Sequence, residues 1–248
     1  EAAKYTERDD RVCDENGFAK TKDLPYGVYT VHQVSGWEGR ELMRDFDVFV
    51  RTDGETYRYL INNANFRSFI KVVKVDAETG KAIPYAGAGF QIYRPDGSLV
   101  SMTFTYPEVT TIDTFYTNEE GFLITPEKLE YGKGYTLKEV SAPYGYVLRA
   151  EGISFDVTED NSTEENAVKI VEVKLGNYAQ KGVIKISKSG EVFASVTESD
   201  GIYQPVYAVQ GLPGAVYEIK AAEDIFTLDG TLRYRAGEVV DTVTTGED

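Results

Sequence analysis

The stretch FIKVVKVD at residues 69–76 decides the fold, because its side chains alternate as in a β-strand with one face in a core. Ile70, Val72 and Lys74 occupy alternate positions of this stretch. Successive side chains of a strand point to opposite faces, so Lys74 should enter the same core as the two apolar residues. Lysine is almost never fully buried unless it is paired. We therefore expect other polar side chains to meet Lys74 there.

Two later stretches show the same pattern. YTLKEVSAPYGY at residues 135–146 places Glu139 in phase with apolar neighbours, and IVEVKLGNY at residues 170–178 does the same for Asn177. Both polar groups should therefore point into a core. A lysine, a glutamate and an asparagine that meet in a dry core are the ingredients of a spontaneous Lys–Asn amide bond.

The rest of the chain is also rich in strand-like segments, and amphipathic helical periods are scarce. Turn-prone pieces such as RTDGE, DAETGK, RPDGS and EDNSTEEN separate these segments. This spacing favours an all-β fold made of β-sandwiches over an α/β fold. The predicted strands are GVYTVHQV, RDFDVFV, YRYLI, FIKVVKV, GFQIY, GYTLKEV, ISFDV, KIVEVKL, GVIKISK and AVYEIKA.

Composition argues against several classes of function. The 248 residues include 41 acidic and 26 basic side chains, which give a formal net charge of −15. Such a charge disfavours nucleic acid and anionic membrane surfaces as partners. Cys13 is the only cysteine and His32 the only histidine, so we expect no intrachain disulfide, no metal site and no other cofactor. No apolar run approaches the length of a membrane span, so we expect no membrane insertion in this segment.

Self-comparison reveals one unit repeated along the chain. NGFAKTKDLPYGVYTVHQVSG at residues 16–36 resembles EGFLITPEKLEYGKGYTLKEVSA at residues 120–142. The last strand of each copy ends in an asparagine, and a lysine of the next copy follows 11 residues later. These pairs are Asn63 with Lys74 and Asn177 with Lys188.

The repeat sets the predicted domain boundaries. Residues 1–68 would be the C-terminal half of a first repeat, residues 69–179 a complete repeat, and residues 180–248 the N-terminal half of a third. The two end pieces would have unpaired strand edges as isolated units. We therefore expect the natural protein to continue on both sides.

The middle repeat resembles a known family. The pattern YxLxExxAPxGY is quite specific, and the start KxDxxTG at Lys74–Gly80 lies at the expected place before it. Together they resemble the collagen-adhesin B-type domains, also called SpaA-like prealbumin-fold pilin domains, of Gram-positive surface proteins. The chain would hold one full and two partial copies. The residues that match the pattern are Tyr135, Leu137, Glu139, Ala142, Pro143, Gly145 and Tyr146.

The resemblance implies small Greek-key β-sandwiches, prealbumin-like and Ig-like, strung end to end as stalks of adhesins or shafts of pili. It implies an extracellular place on the cell wall, with neighbouring repeats as partners and with sortase anchoring through segments outside this one. Many members of the family form an intramolecular isopeptide bond. Carried over to this chain, Lys74 would be the amine, Asn177 the acceptor and Glu139 the proton carrier.

Elementary chemistry supports such a reaction in a core. Burial penalises a charged ammonium, so the pKa of Lys74 should fall. The same burial favours the protonated form of Glu139, which would hydrogen-bond the Asn177 carbonyl and relay protons as ammonia departs. This would be a single event in each molecule, not turnover by an enzyme. Three alternatives stay open. Lys74 could keep only its stem buried, Glu139 could form a salt bridge with Lys74 without reaction, and Asn177 could merely cap a turn.

The partial repeats carry incomplete versions of the site. Gln33 stands where the middle repeat has Glu139, and an amide cannot relay a proton as a carboxylic acid does. We therefore expect no bond to Asn63, whose lysine would lie upstream of residue 1. Lys188 is present in the third repeat, but its partners would lie beyond Asp248, so we expect it to stay unreacted.

Two other functions stay open on the sequence. One repeat could bind a host protein or glycan, with Trp37 or the insertion at residues 101–116 as the contact surface. The insertion, SMTFTYPEVTTIDTFY, is longer than a simple hairpin needs, and a binding surface there would be an exposed aromatic patch. The chain could also be an accessory module of a hydrolase, but no catalytic constellation within it supports that role.

Overall fold

We describe the protein from a computed structural model that places residues 10–246. The predicted first and third repeats therefore extend at residues 1–9 and 247–248 outside the described part. Residues 10–246 form nineteen strands and no helix, which confirms the predicted all-β class. The chain divides into two compact units, Glu1–Arg67 and Ser68–Asp248.

In the first unit, residues 10–66 contain one antiparallel pair of strands, β1 (Gly27–Val31) and β2 (Phe46–Val50). Val48 of β2 is buried. The strand predicted from YRYLI at residues 57–61 is wrong, because that stretch is irregular in the structure. A strand requires a neighbour for its backbone hydrogen bonds, and no described strand of this unit pairs with these residues.

A two-layer β-sandwich occupies residues 67–177. Its strands are β3 (Arg67–Asp76), β4 (Gly89–Tyr93), β5 (Met102–Phe104), β6 (Thr110–Ile112), β7 (Phe115–Tyr116), β8 (Phe122–Ile124), β9 (Leu129–Glu130), β10 (Gly132–Ser141), β11 (Ile153–Val157), β12 (Ser162–Glu165) and β13 (Val168–Asn177). One layer has the order β11-β10-β4-β7, and the other has the order β12-β13-β3-β8 with β9 also pairing β3. Strands β5 and β6 form a separate hairpin within the predicted insertion.

The core of the sandwich lies between these layers and follows the alternation in the sequence. Ile70 and Val72 of β3 are fully buried, as are Phe90 of β4, Leu137 of β10 and Leu175 of β13. The residues that alternate with them on each strand are more exposed. Apolar burial of this kind contributes roughly 25 cal/mol per Å² of surface removed from water and is what holds the layers together.

The first and last strands of the sandwich are parallel neighbours. In the pairing of β3 with β13, Lys74 lies opposite Leu175 and Asp76 lies opposite Asn177. Parallel strands need a long crossover between them, and here the rest of the domain supplies it. This pairing brings residues at the two ends of the domain's sequence side by side.

Residues 180–246 add three two-stranded sheets. Strand β14 (Ser189–Ser199) forms a long hairpin with β15 (Ile202–Gly211), β16 (Val216–Lys220) pairs with β19 (Val239–Thr244), and β17 (Ile225–Phe226) pairs with β18 (Leu232–Tyr234). The strand predicted from GVIKISK at residues 182–188 is wrong, since it forms no sheet and Val183 is 97% exposed. The matching strand β3 has β13 beside it, and no described strand takes that place here.

Candidate functional site

Lys74 lies at the centre of the candidate site. Strand β3 directs its side chain between the two layers, where the residue is fully buried. Nζ donates a hydrogen bond to the backbone oxygen of Leu175 at 2.8 Å and another to Oδ1 of Asn177. The amine is therefore in contact with the carboxamide that it would attack.

The backbone around Lys74 is fixed on both sides by its neighbours. Its N–H donates to the oxygen of Gly121 at 2.9 Å, and its own oxygen accepts from the N–H of Ile83 at 2.9 Å. Gly121 has φ of +81°, and a Cβ there would lie 1.9 Å from the backbone oxygen of Ile83. Only glycine fits at this position, so the turn TNEEGF helps to hold Lys74 in place.

Asn177 comes from the end of β13. Its residue exposure is 2%, and the parallel register with β3 carries its carboxamide to the tip of Lys74. Nδ2 donates to the backbone oxygen of Val147 at 2.9 Å and to Oε2 of Glu139 at 2.6 Å. The backbone oxygen of Asn177 also accepts from the N–H of Ala77. All of the polar atoms in this carboxamide therefore have partners.

Glu139 reaches the site from β10 in the opposite layer, and its side chain is fully buried. Oε2 accepts from Asn177 and also from the backbone N–H of Arg149 at 2.8 Å. Oε1 lies 3.6 Å from Nζ of Lys74 and makes no hydrogen bond with the described residues. The two carboxyl oxygens thus face the amine and the carboxamide nitrogen respectively.

Burial controls the charge of the lysine. Desolvation lowers the pKa of Lys74 from 10.5 to about 8, against the opposing effect of the nearby Glu139 carboxylate. At pH 7 this leaves roughly a tenth of the lysines neutral, far more than for an exposed lysine. A neutral amine is the form that can attack an amide.

The contact of Glu139 differs from the one expected from the sequence. We expected its carboxyl group to bond the carbonyl oxygen of Asn177, but Oε2 accepts from Nδ2, and the carbonyl oxygen is taken by Lys74. The reason is that the amine enters from the side of β3, whereas Glu139 enters from the opposite layer. This arrangement places Glu139 beside the nitrogen that would leave.

Asp76 is a member of this region that the sequence reasoning missed. It is fully buried at the next alternate position after Lys74, so the same period-two rule that singled out Lys74 would have found it. Oδ2 accepts from the hydroxyl of Tyr146 at 2.9 Å, and Oδ1 accepts from the backbone of the following turn. Burial is the main cause that raises the pKa of Tyr146, and this hydrogen bond raises it further. The last tyrosine of the YxLxExxAPxGY pattern therefore supports the end of β3.

The first unit repeats the geometry with an amide in place of the acid. Nδ2 of Asn63 donates to Oε1 of Gln33 at 2.7 Å and to the backbone oxygen of Glu41 at 2.7 Å. Oε1 of Gln33 also accepts from the backbone N–H of Met43 at 2.9 Å. These contacts match those of Asn177 with Glu139, Val147 and Arg149 one for one. The unit therefore has the carboxamide half of the site without an acid.

The other candidate residues lie apart from this site. Lys188 is exposed within the irregular stretch before β14. Trp37 is 70% exposed and borders a cavity of about 360 Å³ together with Arg40, Asn62 and Asn63. The predicted insertion forms the β5–β6 hairpin, and Tyr106 at its tip is 88% exposed.

The sandwich matches a known family of protein domains. Residues 68–172 match the family model of the SpaA prealbumin-like fold domain. Residues 68–172 therefore match a SpaA domain, and we call the sandwich the SpaA domain below. The match includes Lys74 and Glu139 and ends before Asn177, which follows at the end of the same strand. The predicted SpaA-like, prealbumin-type fold of the middle repeat is thereby confirmed.

Solved structures similar to the chain include those of several pilins. The Bacillus anthracis TIE protein is 23% identical over 84% of this chain and 38% of that one, with a TM-score of 0.39. The major pilin subunit BcpA of Bacillus cereus is 22% identical over 50% and 31%, with a TM-score of 0.33. The shaft pilin SpaA from Lactobacillus rhamnosus GG is 19% identical over 71% of each chain, with a TM-score of 0.34. No curated protein matches by sequence.

The chain spans 38% of the length of the TIE protein and 31% of that of BcpA. Residues 10–246 contain no helix that is long and apolar enough to cross a membrane.

Proposed function

We propose that the chain is a structural segment of a Gram-positive surface protein, a stalk of an adhesin or a shaft of a pilus. Its SpaA domain would be closed by an isopeptide bond between Lys74 and Asn177. The observation that carries this proposal is the contact of a buried amine with a buried carboxamide, beside a buried carboxyl group. A lysine that keeps only its stem buried does not describe Lys74, because its side chain is fully buried.

The reaction balances with the groups in the site. Nζ of Lys74 moves from Oδ1 to the adjacent carbon Cγ of Asn177 and forms the new C–N bond. The bond from Cγ to Nδ2 breaks, and ammonia leaves. One proton passes from Nζ to Nδ2 by way of the carboxyl group of Glu139, whose two oxygens lie 3.6 Å and 2.6 Å from these nitrogens. Glu139 is unchanged at the end, so no cofactor is needed.

The fold supplies the rate by holding the reactants together. Parallel pairing of β3 with β13 converts a bimolecular attack into an intramolecular one, which is worth several orders of magnitude in effective concentration. The Leu175 oxygen further orients Nζ by accepting its hydrogen bond at 2.8 Å. Water, which would hydrate the amine and compete for the carboxamide, is kept out by the surrounding core residues.

The bond would carry load between neighbouring repeats. Tension that enters at the start of β3 would pass along that strand to Lys74, cross to Asn177 and leave at the end of β13. The residues between these two positions would then bear none of it. A segment with this property suits a protein that is pulled from both ends, with adjacent repeats as its partners. Its attachment to the cell wall by sortase would use segments other than this one.

Mass spectrometry of the purified chain tests the bond directly. Wild type is expected to be lighter than its calculated mass by one ammonia, and tandem spectra should find Lys74 and Asn177 in one branched peptide. Tandem spectra are needed because Asn16 precedes Gly17, and such a pair can also lose ammonia by cyclising. Lys74→Ala and Asn177→Ala should keep the full mass, whereas Lys71→Ala on the opposite face of β3 should react normally. A wild-type chain without the branched peptide would overturn the proposal.

A second function, binding of a host protein or glycan, is favoured by one observation. Tyr106 and Val109 at the tip of the β5–β6 hairpin are 88% and 76% exposed, away from the domain core. Binding of the chain to a panel of host extracellular proteins and glycans should be lost on Tyr106→Ser and kept on Tyr144→Ser, since Tyr144 is equally exposed elsewhere on the domain. Failure of wild type to bind any member of the panel would count against this function.

A further inference from the structure

The turn at residues 76–81, which follows β3, contacts residues 180–246, the part of the same compact unit that follows the sandwich and is called the next unit below. Asp76 builds the turn, since its Oδ1 accepts from the backbone N–H groups of Glu78 and Thr79 at 2.8 and 3.0 Å. Its other oxygen, Oδ2, faces away from the turn towards Tyr146 and towards Arg233 of the following unit. One oxygen of this carboxylate therefore holds the turn, and the other contacts Tyr146 and Arg233, where the two parts of the chain meet at a junction.

Arg233, on strand β18, bridges two carboxylates of the turn. Nη2 lies 3.4 Å from Oδ2 of Asp76, and Nη1 lies 3.2 Å from Oε2 of Glu78. Lys181 adds a second positive charge, since its Nζ lies 2.8 Å from Oε1 of Glu78. The planar guanidinium can contact both carboxylates at once, which a lysine ammonium cannot do with the same geometry.

Polar contacts on the loop before β18 strengthen the junction. The hydroxyl of Thr79 donates to Oδ2 of Asp229 at 2.5 Å, and Nζ of Lys81 donates to the hydroxyl of Thr231 at 3.1 Å. Asp229 is desolvated there, but hydrogen bonds from Thr227, Thr79 and Thr231 outweigh the desolvation and lower its pKa. These contacts come from the loop just before Arg233, so residues 180–246 are docked on the turn by several side chains.

This junction adjoins the candidate bond. Asp76 lies two residues after Lys74 on the same face of β3, and its backbone is in register with Asn177. A buried carboxylate is unfavourable unless it is hydrogen-bonded and paired with a positive charge. Tyr146 and the turn supply the hydrogen bonds, whereas the positive charge comes from Arg233 on the next unit.

We propose that Arg233 is a positioning residue for closure of the Lys74–Asn177 bond, because docking of the next unit compensates Asp76 and fixes the end of β3 beside β13. This inference rests on the proposed bond. It makes closure in one repeat depend on the folding of the repeat that follows. The partner of the turn is thus the adjacent unit of the same chain, recognised by a bidentate cation between two carboxylates.

The physical route from Arg233 to Lys74 is electrostatic as well as steric. The charged groups that act on Lys74 are Glu139 from the facing layer, Arg149 from the segment after β10, and Asp76 from its own strand. Negative charge on Glu139 and Asp76 favours the protonated lysine, and Arg149 favours the neutral one. Loss of the positive charge at Arg233 leaves Asp76 uncompensated, so a smaller fraction of Lys74 is neutral and reactive.

The rate of closure in the full chain tests the inference. The chain is made by cell-free synthesis, quenched at intervals in acid, and followed by intact mass over a range of pH values on both sides of neutrality. Arg233→Gln should slow the loss of ammonia about threefold near neutral pH and displace the rate profile towards higher pH. Arg233→Lys should restore part of the rate. Arg235→Gln, which removes the same charge from an exposed position two residues on, should behave as wild type.

The outcomes separate the two proposals. If wild type and Arg233→Gln close at the same rate with the same pH profile, the role of Arg233 is wrong while the bond stands. If no chain yields the branched Lys74–Asn177 peptide, the bond itself is wrong, and the role of Arg233 falls with it. Thermal melts of Arg233→Gln and its parent, both carrying Glu139→Gln so that neither can react, show whether slower closure arises from poorer folding. Equal melting temperatures with unequal closure rates support the inference. A lower melting temperature for Arg233→Gln, with a closure rate reduced by the same factor at every pH, overturns it.

Discussion

Nδ2 of Asn177 lies 2.6 Å from Oε2 of Glu139, so the carboxyl group faces the nitrogen that would depart in the proposed reaction and not the carbonyl oxygen. In the proposed reaction, Glu139 would therefore pass a proton to the leaving group. The carbonyl oxygen of Asn177 accepts a hydrogen bond from Nζ of Lys74, the amine that would attack. This arrangement makes the reaction depend strongly on a group that can carry a proton.

Glu139→Gln should therefore stop the reaction without unfolding the domain. A glutamine can still accept from Asn177 and Arg149 through Oε1, as Gln33 does from Asn63 and Met43 in the first unit. It cannot carry the proton. Intact mass should equal the calculated value, with unchanged circular dichroism. The matched control is Glu172→Gln on β13, whose side chain is partly exposed and which should react fully.

The rate of closure should rise with pH. Burial lowers the pKa of Lys74 to about 8, and only the neutral amine attacks. Below this value the neutral fraction falls about tenfold for each unit of pH, so the rate should fall in the same proportion, and it should level off above it. Timed intact mass after synthesis at a series of pH values measures this. A rate that does not change between mildly acidic and mildly alkaline solution would contradict the lowered pKa.

The bond should add substantially to stability. It closes a loop of about 100 residues between Lys74 and Asn177, which by the chain-entropy estimate for disulfides is worth about 4–5 kcal/mol. Denaturant unfolding of wild type and of Glu139→Gln should differ by that order, with the midpoint of the variant lower. Equal midpoints in chains shown by mass to be closed and open would refute this estimate.

One ammonia should be lost by each molecule, not two or three. Asn63 has Gln33 in place of the acid, and Lys188 lies exposed in a stretch without a strand partner. Tandem spectra of the wild-type chain should find both residues unmodified. A branched peptide that contains Asn63 would show that a carboxyl group is dispensable, and it would also undermine the expected effect of Glu139→Gln.

Gly121→Ala should damage the SpaA domain far more than an ordinary turn substitution. The new Cβ would lie 1.9 Å from the backbone oxygen of Ile83, and φ of +81° adds strain. We expect a loss of more than about 3 kcal/mol in the free energy of unfolding, together with slower closure, because Gly121 also holds the backbone of Lys74. Gly97→Ala is the control, since φ there is +84° but nothing lies within 4 Å, and it should cost about 1 kcal/mol. Similar losses for both variants would show that the contact with Ile83 is unimportant.

The sequence by itself determined the inward face of three strands of the sandwich. Alternation along FIKVVKVD, YTLKEV and IVEVKLGN placed Lys74, Glu139 and Asn177 on inward faces, and the structure buries all three. Comparison of the repeats also identified Gln33 and Asn63 as counterparts, which the structure brings together. The inward direction of these side chains is a local feature, because the face on which a strand residue lies depends only on whether its position is odd or even along the strand.

Tertiary structure decided everything that depends on the neighbour of a strand. YRYLI and GVIKISK have the composition of strands but remain irregular, because no described strand lies beside them to complete their hydrogen bonds. The choice of nitrogen over oxygen as the partner of Glu139, and the reach of Arg233 to Asp76, likewise depend on layers distant in sequence. Alternation along a strand fixes the face on which a side chain lies. Only the packing of strands from distant parts of the chain fixes which atoms that side chain contacts.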